Sequence, residues 1–85
     1  MTGLNDYKKI ALYYTERGLS YGKTYKYTQN VLELSVYPIG DLYSFITGFI
    51  VILLNKDKVV YKQRVDTAAS AAHTFCETAW KLMNK

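Results

Sequence analysis

The sequence has almost no means of cross-linking itself. Cys76 is the only cysteine and His73 the only histidine among 85 residues, so neither a disulfide framework nor a zinc cluster can be assembled. Long hydrophobic runs are also missing. Phe45–Leu54 is the longest, and Thr47 and Gly48 interrupt it; crossing a bilayer as a helix takes about 20 residues. Residues 1–20 carry charges throughout and lack the apolar core and small-residue cleavage site of a secretory signal. No phosphate-cradling Gly-rich loop, His-Glu-x-x-His or Gly-x-Ser-x-Gly pattern occurs. His73 has no second group beside it for acid–base work, and Cys76 falls on an apolar helix stripe, where a thiol behaves as a small hydrophobe. These absences predict a soluble, cytoplasmic, single-domain protein (1–85) with no membrane segment, catalytic residue, metal or cofactor.

What the chain does have is clustered positive charge. Its formal net charge is +4, and the excess is concentrated in two stretches. Lys8, Lys9, Arg17, Lys23 and Lys26 stand against Glu16 alone between Tyr7 and Tyr27. Lys56, Lys58, Lys62 and Arg64 stand against Asp57 alone between Asn55 and Arg64. The remainder is net acidic. A clustered basic surface on a small domain is the electrostatic footprint of a polyanion binder, because every neutralised phosphate releases a counterion.

Hydrophobic spacing predicts an α+β fold. Asn5 and Asp6 can cap a helix over Asp6–Arg17 whose Tyr7, Ile10, Ala11 and Tyr14 share one face, with Gly18 at its C-terminal end. Leu19–Gln29 suits either an extended edge segment or an ordered loop. Leu32, Leu34 and Val36 then alternate as one face of a strand, and Pro38–Asp41 has the composition of a turn. Leu42–Leu54 is predicted as a long strand, apolar on both faces from Phe49, with Gly48 marking a bulge or close approach. Asn55–Lys58 makes a turn, and Val59–Val65 a third strand with Val59, Tyr61 and Val65 on one face. Asp66 or Thr67 caps a final helix to about Met83, with Ala69, Ala72, Cys76, Ala79 and Met83 as its stripe. The expected order is α-β-β-β-α, an antiparallel three-stranded meander with both helices on one face.

That arrangement leaves a problem on the second sheet face. Ile50, Ile52 and Leu54 oppose Phe49, Val51 and Leu53, and leaving such side chains wet forgoes roughly 1.5–3 kcal/mol each. A twofold homodimer is the simplest cover; the tyrosine-rich segment folding across it is the other.

The candidate RNA-binding residues follow from the basic clusters: Lys8, Lys9, Lys23, Tyr25, Lys26, Lys56, Lys58, Lys62 and Arg64. Lys56 and Lys58 fall at a hairpin tip, and Lys62 and Arg64 lead into the last helix, whose N-terminus favours anions. Of the nine tyrosines, Tyr14, Tyr37, Tyr43 and Tyr61 are expected to pack in periodic elements. Tyr21, Tyr25 and Tyr27 are interleaved with lysines and are the stacking candidates. The alternative to an RNA binder is a protein-only inhibitor or interaction module that docks on a host enzyme through the apolar sheet face.

In order of elements, and in the alanine-rich run Ala68-Ala69-Ser70-Ala71-Ala72 that opens the last helix, the chain resembles double-stranded-RNA-binding domains. The resemblance implies recognition of duplex shape, with basic residues at the start of that helix against phosphates. The chain departs from the family's motifs: Lys62-Gln63-Arg64-Val65-Asp66-Thr67-Ala68 replaces a Lys-Lys-x-Ala-Lys run, and the loop after the first predicted strand has no Gly-Pro or histidine. In size and in its tyrosine and lysine content, the chain is also similar to the small TifA-like phage proteins. Those are RNA-binding inhibitors of a host toxin–antitoxin ribonuclease. This likeness implies a dimer, an RNA ligand and a host toxin ribonuclease as partner, in the host cytoplasm.

Overall fold

The computed structural model describes residues 4–40 and 45–84, with side chains from Tyr7 onward. Its first helix, α1 (Leu4–Ser20), is longer than the spacing predicts at both ends. Asn5 and Asp6, expected before the helix, lie within its span. Gly18 is a helical residue, and the helix ends two residues later, at Ser20, by a different device. The N–H groups of Gly22 and Lys23 donate to the carbonyls of Leu19 and Gly18 at 3.0 and 2.9 Å. This pair of bonds is a Schellman motif, and Gly22 at φ +89° supplies the left-handed residue it requires.

The Schellman turn feeds a strand that the sequence left open. Tyr25–Gln29 forms β1, followed by β2 (Leu32–Gly40), β3 (Ile46–Asn55) and β4 (Lys58–Val65), all antiparallel in the order β1-β2-β3-β4. The expected three-stranded sheet therefore has four strands. The tyrosine-rich segment widens the sheet and does not fold across its second face. Pro38 is extended within β2, not in a turn. β1 reaches only to Val36, so at Pro38 the strand has a neighbour on one side alone, where a missing N–H is tolerated. The part of the predicted turn and strand at residues 41–44 lies outside the described residues.

Helix α2 (Ala68–Met83) is as predicted. Thr67 caps it by accepting from the Ser70 N–H at 3.1 Å. Ala71, Ala72, Phe75, Cys76, Ala79 and Leu82 are its buried side, while Ala69 and Met83, expected in the stripe, are exposed. The small residues let α1 come close: the Cys76 thiol donates to the Thr15 hydroxyl at 3.8 Å. Leu19, Leu34, Val36 and Val51 complete the core with Phe49. Both helices thus pack on one sheet face.

The phase of α1 differs from the predicted one. Its packed side is Leu12, Thr15, Gly18 and Leu19, whereas Tyr7, Ile10 and Tyr14 face solvent. Tyrosine is amphipathic, so the tyrosine stripe and the leucine stripe both fit a helical period. The leucines won because they bury fully apolar surface. The molecule measures 42 × 35 × 15 Å, and its thin dimension holds one sheet and one helix layer only. Among the described residues, no element lies over the second sheet face. Among the described residues, no helix is long and apolar enough to cross a membrane.

Candidate nucleic-acid interface

The candidate residues do not converge on one surface. β1 and β4 are opposite edges of the sheet, separated by β2 and β3. α1 lies at the β1 side, where the Tyr25 hydroxyl donates to the Tyr14 carbonyl at 3.4 Å. Lys8, Lys9, Lys23 and Lys26 accordingly belong to one side of the molecule and Lys56, Lys58, Lys62 and Arg64 to the other.

On the first side, several candidates are already engaged. The Lys8 ammonium lies 4.8 Å from the Trp80 ring centroid, a cation–π contact that closes the helix pair. Lys26 pairs with Glu33 at 2.8 Å. Tyr25 and Tyr27 pack half-buried against the core, so their ring faces are not presented for stacking. Lys9 and Lys23 are exposed.

The β4 side is built by a hairpin and a bulge. Lys56 and Asp57 both take positive φ (50° and 69°) between Asn55 and Lys58, the signature of a two-residue type I′ hairpin turn. Lys56 is held there by its N–H, which donates to the Val31 carbonyl at 3.1 Å. One residue pair further along the same hairpin, Leu54 pairs with Val59 and Leu53 with Tyr61, so Val60 is an extra residue. The bulge reverses the alternation. Lys58 projects on the helix side of the sheet and Lys62 and Arg64 on the open side, and Val59 is separated from Tyr61 and Val65, contrary to the predicted shared face. The basic side chains straddle an edge strand whose residues are exposed from Lys58 to Arg64.

Arg64 has a structural task. Its guanidinium donates to the Thr47 carbonyl at 3.2 Å and pairs with Asp66 at 3.0 Å. It lies across Gly48, where a β-carbon would sit 2.9 Å from a guanidinium nitrogen. The close approach expected at Gly48 is thus Arg64, and the neighbouring irregularity places Thr47 as the extra residue opposite Ile39 and Gly40. Ile50, Arg64's cross-strand neighbour on the open face, is only 9% exposed. Among the described residues, Lys56, Lys58 and Lys62 take part in no ion pair.

Sequence reasoning missed the exposed aromatics of α1. Tyr7, Tyr13 and Tyr14 are 75%, 54% and 64% exposed, while Tyr21, already a stacking candidate, is 75% exposed in the turn after the helix; the competing Leu12–Leu19 period was the signal that turned the α1 rings outward. His73 and Cys76 diverge. His73 is exposed, in a groove with Gln63, Val65 and Ala69, and Cys76 is buried. Burial pushes the Cys76 thiol above its ordinary value, against a lowering contribution from the Thr15 contact.

No protein-family profile matches the chain, and neither curated proteins nor solved structures give a match.

Proposed function

We propose that the protein binds RNA, holding phosphates along the β3–β4 hairpin and the β4 edge. The observation that carries this reading is the set Lys56, Lys58 and Lys62, exposed on an outer hairpin and unpaired by acidic side chains among the described residues. Straddling the edge, they can follow a phosphate backbone from both sides, which reads charge and shape rather than sequence. The fourth strand changes the order of elements on which the likeness to double-stranded-RNA-binding domains was drawn, so shape reading is supported here by the edge charges alone. The protein is a binder, not a catalyst: His73 and Cys76 point apart, and the thiol is held protonated. In the TifA-like extension of this reading, the RNA-bound protein inhibits a host toxin ribonuclease in the cytoplasm. The first test is the ultraviolet absorbance ratio of freshly purified protein before and after ribonuclease treatment. Co-purifying RNA is expected, and protein that is free of RNA yet active points to the protein-only alternative.

A second reading concerns the open sheet face. Tyr37, Ile39, Ile52 and Leu54 are half-exposed there and Val59 is exposed. This aliphatic surface lies between the Lys26–Glu33 pair on one flank and Lys62 on the other. It favours a twofold homodimer in which the apolar centres meet and the lysines stay at the rim. A host enzyme docked on the same face is the protein-only form of this reading.

A further inference from the structure

We infer that the outer face of α1 is a second binding surface, one that takes the unpaired bases of single-stranded RNA. Tyr7 and Tyr14, seven residues and about 10 Å apart along the helix axis, are followed at the same interval by Tyr21 in the turn that ends α1, and Tyr13 and Arg17 form the adjacent row. The fold does not need these rings, because α1 packs through Leu12, Thr15 and Leu19. They are nonetheless arranged. Arg17 donates to the Tyr13 hydroxyl at 2.7 Å, its guanidinium lies 6.0 Å from that ring's centroid, and Tyr13 meets Tyr14 edge-to-face at 5.4 Å. A shallow depression opens between Tyr13 and Tyr21 with Glu16, Arg17 and Ser20 as its other lining.

The chemistry of the ridge selects its occupant. Between Tyr7 and Lys23 there are four basic side chains and one acidic one, so the surface attracts a polyanion. Four exposed rings ask for flat, apolar, stackable groups within that polyanion. A duplex keeps its bases stacked on one another and offers the rings nothing, whereas a single strand offers a π-face at every nucleotide. The ridge therefore complements single strands, while the β4 edge, which contacts phosphates alone, serves paired ones. For its choice of polymer this inference rests on the RNA-binding reading.

Binding of labelled oligouridine and of a blunt RNA duplex to the full chain separates the two. Tyr14→Ala and Tyr21→Ala are each expected to weaken oligouridine binding about fivefold or more, the loss of one stacked base, and to leave duplex binding within about twofold. Tyr14→Phe and Tyr21→Phe keep the ring face and are expected to bind oligouridine normally, which guards against a trivial folding defect. Oligonucleotides carrying 4-thiouridine should photo-crosslink to the tryptic peptide 10–17 or 18–23. Oligouridine binding that is indifferent to both alanine variants, or crosslinks confined to β4, overturns the inference and leaves the β4 reading intact. Wild-type protein that binds the duplex but not oligouridine has the same effect. Protein that binds neither polymer overturns the RNA-binding reading itself.

Discussion

The hydroxyl of Tyr25 sits against Gly18 so closely that a β-carbon at position 18 would overlap it, and it reaches the Tyr14 carbonyl at 3.4 Å. This contact joins β1 to α1 at the point where the chain reverses. Gly18→Ala should therefore destabilise the protein by about 1–3 kcal/mol through overpacking. Helix propensity alone would have the opposite sign, favouring alanine by about 1 kcal/mol. Urea denaturation of Gly18→Ala, Tyr25→Phe and the double variant checks it: the double variant should recover part of the loss, since its ring lacks the overlapping oxygen. A stabilised Gly18→Ala protein would show that the contact does not constrain the helix.

The Gly18–Tyr25 pair also marks where the sequence was readable. α2 was legible because alanine, cysteine and Thr67 signal period and cap together, with no competing stripe. β3 and its hairpin were legible because a doubly apolar run ends in Asn55-Lys56-Asp57-Lys58. α1 is ambiguous because tyrosines and leucines each offer a face, and β1 because its alternation fits an edge strand and an ordered loop alike. The Val60 bulge left no sequence signal, yet it decides which basic residues share a side. Of the candidate site, Lys56 and Lys58 stand at the hairpin end where their spacing suggested, and Lys62 and Arg64 on the strand leading to α2; Tyr25 is taken up by the contact that closes the fold.

The buried thiol gives a local reporter of folding. Burial pushes the Cys76 pKa up, so the folded protein holds the thiol proton more tightly than the unfolded chain does. Stability from this group is then fully present below the ordinary thiol pKa and lost as the pH rises from there through the raised pKa of the folded state. Labelling by a thiol reagent at neutral pH should be slow, and should accelerate with denaturant along the unfolding curve. Rapid labelling of fully folded protein would place the thiol at the surface.

At the hairpin tip, Asp57 holds a left-handed conformation without being glycine. Asp57→Gly should stabilise the protein by about 0.5–1 kcal/mol by relieving that backbone cost. It also removes the acidic residue between Lys56 and Lys58, so RNA affinity should rise at low salt. Thermal melts and binding titrations read the two effects separately. A variant more stable but unchanged in affinity would detach the tip from the RNA site.

Self-association through the open face predicts about twice the 9.8 kDa chain mass in light scattering at micromolar concentration. Ile52→Glu, in the middle of that face and opposite Lys62, should give a folded monomer. A wild-type monomer that persists at high concentration removes the dimer from the account.

The central claim, phosphate contact along β4, is tested most directly by the salt dependence of duplex RNA binding in Lys58→Glu/Lys62→Glu. Arg64 is left in place because it bonds Thr47 and covers Gly48, so reversing it would disturb the sheet as well as the surface. For a duplex, log affinity falls with log salt at about −0.9 per phosphate neutralised. The double variant should fold normally, bind unrelated duplexes uniformly more weakly, and show a slope shallower by roughly 1–2. A folded double variant with unchanged affinity and unchanged slope would contradict the claim.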